Sequence, residues 1–125
     1  MQIKFYSRHD VTDEIKKGIE QVTNKPCSIE QDSDPFVSGF DIVIRSMPDN
    51  ISSDNTVTVA GVFPAEILGE IIAYVQGSSY PHNFKIITFK YKRDRETNTV
   101  SQMSHVVVWD IKKNSPFKIE VKEVA

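Results

Sequence analysis

Apolar and polar residues alternate at the beginning of the chain and then change to a helical spacing. Ile3 and Phe5 fall on one side of residues 2–7, which predicts a short β-strand. The following apolar positions recur at helical spacing, with lysine and glutamate on the opposite face; they are Val11, Ile15, Ile19 and Val22. This spacing predicts an amphipathic α-helix with Thr12 or Asp10 as its N-cap.

The end of this helix is marked by Asn24-Lys25-Pro26. Proline cannot continue a helix, and it disfavours helical conformation in the residue before it. Residues 26–31 then predict a weak second strand around Cys27 and Ile29. We therefore expect the chain to begin with a strand, a helix and a second strand.

Two interpretations compete for residues 36–47. Five apolar residues fit one helix face, and Ser33-Asp34-Pro35 is a plausible helix start; the five are Phe36, Phe40, Val43, Ile44 and Met47. However, Phe40, Ile42 and Ile44 also alternate, and β-branched residues favour strands. We favour the helix, and the strand stays open as the alternative.

A third strand and a third helix follow with clearer signals. Residues 56–60 predict the strand, and residues 61–63 predict a tight turn. Pro64 suits the first helical position, and Gly77 suits the stop after Gln76. The apolar residues of this segment cover more than half of its circumference, so we expect a helix that is buried on most sides. A stripe of small residues would let it approach a sheet or a partner helix closely; the stripe is Ala65, Gly69 and Ala73.

The last third of the chain has the alternation of β-strands. Residues 84–91, 100–111 and 117–124 each predict a strand, with polar turns at residues 92–98 and 114–116. The predicted fold is therefore α/β: a mixed, Rossmann-like sheet in which N-terminal βα units precede a C-terminal antiparallel meander. Residues 1–125 fit a single domain.

Composition and charge narrow the possible partners. The 125 residues are 39% hydrophobic and 26% charged, and the formal net charge is -2. This charge gives no overall field to attract double-stranded nucleic acid or an anionic membrane, so an anion site would have to be local. Residues 67–75 are too short an apolar segment to span a bilayer, and the N-terminus lacks the apolar core of a signal peptide. We expect a cytoplasmic protein.

Two loops at predicted strand ends carry the candidate chemistry. In open α/β sheets, ligands bind beyond the carboxyl ends of parallel strands, where loops lead into helix N-termini. One such loop is Ser7-Arg8-His9-Asp10, and the other is Gly61-Val62-Phe63. Gly61 lets the backbone approach a ligand, and the guanidinium of Arg8 suits a phosphate. The alternatives are a solvated loop at Arg8 and His9, and a plain structural turn at Gly61.

The remaining candidates are weaker. Phe63 suits either stacking on a base or hydrophobic packing beside Pro64, and His82 could face the same ligand. His105 lies within a predicted strand and is expected to be structural. Cys27, the only cysteine, excludes an intramolecular disulfide and is expected to be buried and unreactive. No spacing of His, Cys or acidic residues indicates a metal site, and no fingerprint indicates a cofactor.

The order of these features resembles a known family. The sequence FYSRHDVT at residues 5–12, TNKP at residues 23–26, and the strand–turn–helix–strand order of residues 57–111 are similar to small stand-alone CRISPR-associated proteins with a CARF-like fold. Those proteins bind cyclic oligoadenylate messengers. The present chain differs by an extra Arg8, by Asp10 in place of proline, and by the order of glycine and proline in AGVFP at residues 60–64.

The resemblance implies a homodimer that holds a cyclic oligoadenylate across its two-fold axis, with the helix of residues 64–76 as a suitable interface. The implied ligand-binding residues are Ser7, Thr12, Gly61, Val62, Phe63 and His82. Some relatives cleave the ring without metal, through a ribose 2′-OH, as ring nucleases. In that case Arg8 would stabilise phosphoryl charge and His9 would assist proton transfer. A different class of function also fits the sequence: a non-enzymatic protein-interaction module, for example a phage or plasmid inhibitor of a host protein.

Overall fold

A six-stranded sheet with helices on both faces forms the framework of the protein. The computed structural model describes residues 2–7, 11–47, 56–77, 83–97, 99–113 and 116–124. In chain order, the elements are β1 (Gln2–Tyr6), α1 (Asp13–Thr23), β2 (Ser28–Asp32), α2 (Gly39–Ser46), β3 (Thr56–Gly61), α3 (Ala65–Gly77), β4 (Asn83–Asp94), β5 (Thr99–Lys112) and β6 (Lys118–Glu123).

The sheet order is β2-β1-β3-β4-β5-β6. The pairs β1–β2, β1–β3 and β3–β4 are parallel, whereas β4–β5 and β5–β6 are antiparallel. β4 is therefore the strand at which the parallel half meets the meander. The prediction of an α/β fold with a mixed sheet, βα units first and a meander last, is confirmed.

Each face of the sheet carries its own hydrophobic core. The face covered by α1 includes Ile3, Phe5, Ile19 and Cys27 together with residues of β4 and β5. The opposite face packs against α2 and α3, and its buried residues are Tyr6, Ile42, Val43, Val57, Val59, Phe63, Ile67, Leu68, Ile71, Val75, Phe84, Ile86 and Ile111. Alternation along the strands sends successive side chains to the two faces, which explains why both faces are apolar.

The first helix begins and ends where the sequence predicts. The Thr12 side chain accepts a hydrogen bond from the Ile15 N–H at 3.2 Å, which makes Thr12 the N-cap. At the other end, Asn24 adopts a left-handed conformation with φ of 55°, and its N–H donates to the Glu20 carbonyl at 2.8 Å. Asparagine tolerates this conformation better than most residues, and Pro26 follows two residues later.

The ambiguous segment forms a helix, as we favoured, but the predicted start is wrong. α2 begins after Ser38, whose hydroxyl accepts the Asp41 N–H at 3.1 Å. The predicted cap at Ser33-Asp34-Pro35 is instead part of a loop, because the Asp32 carboxylate takes the Asp34 N–H at 3.0 Å in a turn. The helix start therefore lies five residues later than the sequence analysis placed it, at Ser38 and not at Ser33.

The third helix is less buried than predicted. Ile67, Leu68, Ile71 and Val75 face the core, whereas Ala65, Gly69 and Ala73 are exposed, and no described atom outside the helix lies within 4 Å of a Cβ built at Gly69. The close helix approach occurs at Gly39 of α2, where a Cβ would lie 2.6 Å from the Cβ of Glu70. The small-residue stripe therefore lies on the solvent side of α3.

The hairpin of the meander is longer than its sequence indicates. β4 continues to Asp94 and β5 begins at Thr99, so the predicted turn at residues 92–98 is wrong at its first residues. The ladder between β4 and β5 shifts register between Lys90 and Tyr91, and again between Lys92 and Arg93, as at a β-bulge. Among the described residues, no helix is long and apolar enough to cross a membrane.

Candidate functional site

The two loops selected from the sequence begin on neighbouring strands. β1 leads to β2 on one side of it, and β2 then crosses over to β3 on the other side. The reversal of direction lies between β1 and β3, where open α/β sheets form a crevice. Tyr6 pairs with Gly61 across this boundary, so Ser7 and Val62 follow adjacent strand ends. The structure therefore brings the described parts of the two predicted loops together.

The sequence analysis predicted that Gly61 belongs to a tight turn. In the structure it belongs to the sheet instead. It is the last residue of β3, and its φ of 155° is strained for residues with a side chain. A Cβ at this position would lie 2.6 Å from the Tyr6 carbonyl oxygen. The glycine is required for the close approach of two strands, which is a structural role. The neighbouring Val62 is 66% exposed at the edge of the crevice.

Phe63 faces the interior. Its side chain is 8% exposed, and its ring centroid lies 6.0 Å from that of Tyr6 and 5.8 Å from that of Phe36. Hydrophobic packing, the alternative to base stacking, describes this ring. Thr12 likewise has a structural contact, because its hydroxyl oxygen caps α1. Arg8, His9, Asp10 and His82 lie outside the described residues, so their functional roles stay predictions.

A small pocket lies beside Ser7 at the carboxyl ends of β1 and β2. Its volume is about 180 Å³, and it is lined by Ser7, Asp32, Ser33, Asp34, Pro35 and Phe36. The backbone of Ser7 is held in place, because its N–H donates to the Asp32 carbonyl at 3.2 Å and its carbonyl accepts the Gln31 amide at 3.0 Å. The pocket is therefore built on a fixed strand end, as a binding site requires.

The charge of Asp32 at this pocket is offset by two cations. Lys4 Nζ lies 3.6 Å from one carboxylate oxygen, and Arg45 Nη1 lies 3.8 Å from the other. These side chains are partly buried, so solvent screens the pairs less than on an open surface. An anionic ligand here would consequently meet less repulsion than the two aspartates of the lining indicate by themselves.

Arg45 fixes the loop that forms the pocket wall. Its guanidinium makes a two-pronged contact with Asp41, at 3.1 Å from Nε and 2.9 Å from Nη2. It also donates to the backbone carbonyls of Asp34 at 3.2 Å and Pro35 at 2.7 Å. The planar fork of donors suits this set of acceptors, which ammonium could not match. The loop between β2 and α2 is thus held against the helix.

Tyr6 supplies a buried hydroxyl beneath the same loop. Its oxygen lies 2.6 Å from Ser46 Oγ and 3.4 Å from the Ile42 carbonyl oxygen. Burial raises the pKa of Tyr6 to about 12, so the phenol is neutral at physiological pH and is structural. The sequence analysis identified neither the Tyr6 hydroxyl contacts nor the Arg45 contacts. The available signal was the four-residue spacing of Asp41 and Arg45, which places them next to each other on a helix.

The two residues expected to be structural have contacts of that kind. Cys27 is 8% exposed, and burial raises the pKa of its thiol, which favours the unreactive neutral form. His105 is half-buried in β5, with Nδ1 2.9 Å from Ser104 Oγ. Neither side chain lies at the crevice between β1 and β3.

Comparison with known proteins adds no relative to this description. No family model, no curated protein and no solved structure matches the chain. The fold is α/β with a six-stranded mixed sheet, and the arguments for function depend on the crevice and the pocket themselves.

Proposed function

We propose that the protein binds a cyclic oligoadenylate at the crevice between β1 and β3. The observation that supports this proposal is the adjacency of Ser7 and Val62, which follow neighbouring parallel strands at the change of strand direction. Sites of this kind bind nucleotides in other α/β proteins. The choice of a cyclic adenylate comes from the resemblance in layout to CARF-like proteins, and a cytoplasmic homodimer belongs to the same proposal.

The chemistry of the crevice fits a phosphodiester ligand in three respects. In the chain, α1 is the next element after β1 and α3 is the next element after β3, and a helix N-terminus attracts anions. In the pocket beside the crevice, at the ends of β1 and β2, Lys4 and Arg45 partly offset the charge of Asp32. Arg8 follows Ser7 directly in the chain and would add a guanidinium fork. Binding requires no catalytic base, so sequestration of the messenger is the primary activity proposed.

Slow cleavage of the ring without metal is the extension of this proposal. A ribose 2′-oxygen would attack the adjacent phosphorus, the bond to the 5′-oxygen would break, and a 2′,3′-cyclic phosphate and a 5′-hydroxyl would result. His9 would assist transfer of the proton from the 2′-hydroxyl to the leaving 5′-oxygen, and Arg8 would stabilise charge on the phosphoryl oxygens. Positioning would supply most of the rate, since these are the only two residues assigned to the reaction.

The proposal is tested by thermal shift with cyclic tri-, tetra- and hexa-adenylate, with linear oligoadenylate and ATP as controls. A ligand at 100 times its dissociation constant adds about 2.7 kcal/mol of stability, which raises the midpoint of a domain of this size by several degrees. We expect one ring to raise it. Failure of every ring at saturation would refute the proposal, and chromatography of that ring after incubation with a chelator separates cleavage from binding.

Two matched variants locate the site. Val62→Trp fills the mouth of the crevice without entering the core, because Val62 is 66% exposed. Ile44→Trp, at a residue 51% exposed on α2, is the control for the cost of a surface tryptophan. We expect only Val62→Trp to abolish the ligand-induced shift. A shift that survives in Val62→Trp would place the ligand elsewhere, even if a ring binds.

A protein-interaction module is the second candidate, and one observation favours it. Phe40 and Ile44 are each 51% exposed on α2, and the Phe40 ring contacts Tyr74 of α3 with centroids 4.8 Å apart. Half-exposed apolar residues on neighbouring helices are typical of surfaces that bind proteins. This alternative requires that no adenylate ring shifts the midpoint, so the same thermal-shift experiment separates the two functions.

A further inference from the structure

β6 forms one edge of the sheet and carries a different chemistry on each face. Ile119 and Val121 are 49% and 50% exposed, and they lie opposite Trp109 and Val107 of β5 on the face that α2 and α3 cover farther along the sheet. Charged residues alternate with them on the other face: Lys118, Glu120 and Lys122. Next to the strand, the Phe117 ring stacks on Trp109 at 6.4 Å. An apolar strip therefore reaches the edge of the sheet.

The backbone of β6 presents hydrogen-bonding groups to this free edge. The Val124 N–H donates to the Ser104 carbonyl at 3.0 Å. Hydrogen-bonded pairs alternate along an antiparallel ladder, so Lys122 and Glu120 also direct their backbone groups towards β5. Ile119 and Val121 consequently direct theirs away from the sheet. Exposed edges of this kind pair readily with another strand.

The charge order of β6 and the limits of the strand together favour one antiparallel register with a second copy. If Val121 pairs with itself across a two-fold axis, Glu120 faces Lys122 of the second copy, and the same pair forms again on the other side of the axis. If Glu120 pairs with itself instead, the two carboxylates face each other and Lys118 faces Lys122. The first register attracts and the second repels. A register centred on Ile119 would also attract, because Lys118 would face Glu120, but it would pair Val121 with Phe117, which lies outside β6. The Val121 register keeps its paired residues within β6 and places the two Val121 side chains together on the apolar face.

We propose that two copies of the chain associate through antiparallel β6–β6 pairing centred on Val121, which joins the two sheets into one. The surface is isologous, as closed two-fold dimers require. A contact limited to one strand and its flanking side chains is smaller than the roughly 1,200 Å² of a stable interface, so the dimer dissociates on dilution. In this register Glu123 faces Ile119 of the second copy, and the Glu123 carbonyl accepts the Gln21 amide at 3.3 Å. Gln21 therefore has to release that carbonyl before the outer hydrogen bond forms, and Val121 supplies the central pair. This inference does not depend on any ligand.

Cysteine cross-linking tests the register. In the proposed pairing the two Val121 Cα atoms are about 5.5 Å apart, within disulfide range, whereas the two Ile119 Cα atoms are about 14 Å apart, since they are offset by four residues. We expect mild oxidation to link Val121→Cys into dimers and to leave Ile119→Cys monomeric. Wild-type protein, with its buried Cys27, is the control. Equal linking of both variants, linking of neither, or linking of Ile119→Cys alone would overturn the proposal.

Charge exchange tests the pairing independently. Glu120→Lys places lysines opposite lysines in the proposed register, and Lys122→Glu places glutamates opposite glutamates. Light scattering without nucleotide should show a concentration-dependent dimer for the wild type and monomers for each variant alone. An equimolar mixture of the two variants restores both opposite-charge pairs and should form a 1:1 heterodimer. A wild type that stays monomeric at every concentration, or single variants that dimerise like the wild type, would refute it.

Discussion

The Glu14 carboxylate in the first turn of α1 accepts a hydrogen bond at 2.8 Å from the backbone N–H of Met103 in β5. Met103 is 3% exposed and lies beside the bulge in the β4–β5 hairpin, so its N–H has little access to water. The contact joins the first helix to the meander, which is distant in sequence.

Glu14→Ala should lower the free energy of unfolding by about 1–2 kcal/mol, because a buried donor loses its acceptor. Glu14→Gln retains an acceptor oxygen and should recover most of this loss. Asp13→Ala is the matched control, since it removes the same charge from the same helix end. Chemical denaturation measures all three variants. Equal losses for Asp13→Ala and Glu14→Ala would mean that the helix dipole, and not the Met103 contact, sets the effect.

Gly61→Ala should destabilise the protein by at least about 1–3 kcal/mol, the cost of a side chain at a strained backbone conformation. The added methyl group would also contact the Tyr6 carbonyl oxygen at 2.6 Å, a backbone atom that cannot move aside. Gly69→Ala is the control, with no described atom outside the helix within 4 Å of its Cβ. The control should stabilise α3 by about 0.5–1 kcal/mol. Thermal denaturation compares the two, and a neutral Gly61→Ala would contradict the close approach of β1 and β3.

Alkaline pH should remove the stabilisation that Tyr6 gives. Its pKa is raised from 10.0 to about 12 in the folded protein, chiefly by burial. As pH rises, the unfolded chain therefore loses this proton before the folded protein does. The stabilisation by Tyr6 is fully present below pH 10, and it is lost as pH rises from 10 towards 12. Lysines also titrate there, so the measured quantity is the difference in unfolding free energy between wild type and Tyr6→Phe.

At neutral pH that difference should favour the wild type by about 1 kcal/mol, the value of the hydroxyl's hydrogen bonds. It should then shrink and change sign across the same alkaline interval. A difference that stays constant with pH would show that the phenol ionises equally in the folded and unfolded states.

Arg45→Lys should mainly weaken the attachment of the loop between β2 and α2, which forms the pocket wall. Lysine keeps the charge near Asp41 but cannot also donate to the carbonyls of Asp34 and Pro35. We expect the free energy of unfolding to fall by about 1–2 kcal/mol. We also expect faster amide hydrogen exchange in residues 32–36. Arg95→Lys, at an exposed position in the hairpin turn, is the control. Unchanged exchange in the loop would show that Arg45 does not hold it.

The sequence predicted the helices and strands better than it predicted the contacts between them. Periodicity identified α1, α3 and the meander because those signals are local to each segment. The start of α2 was predicted wrongly at Ser33-Asp34-Pro35, because the Asp32 carboxylate accepts the Asp34 N–H in a turn and the helix is capped by Ser38 instead. The role of Gly61 was also missed, because its need for a glycine comes from Tyr6, a residue on another strand.

The candidate site shows the same division. Ser7 and residues 61–63 were selected from their positions after predicted strands, and in the structure they lie at the ends of the adjacent strands β1 and β3. The cluster of Lys4, Asp32 and Arg45 combines residues of β1, β2 and α2, so no single segment reveals it. Of the contacts that Arg45 makes, the pair with Asp41 is the one that the sequence indicates locally, through its four-residue spacing on a helix.

The strand order also has a consequence for folding. β1 precedes the other strands in the chain, but in the sheet it lies between β2 and β3. Its pairing with β3, for example of Lys4 with Val59, closes a long loop. β4, β5 and β6 instead pair with their neighbours in the chain. Loop closure costs more entropy for distant pairs, and chains rich in such pairs fold more slowly. We therefore expect the C-terminal meander to assemble early and the first-made strand to be enclosed last, so that the β1 edge stays open to wrong partners until β3 arrives.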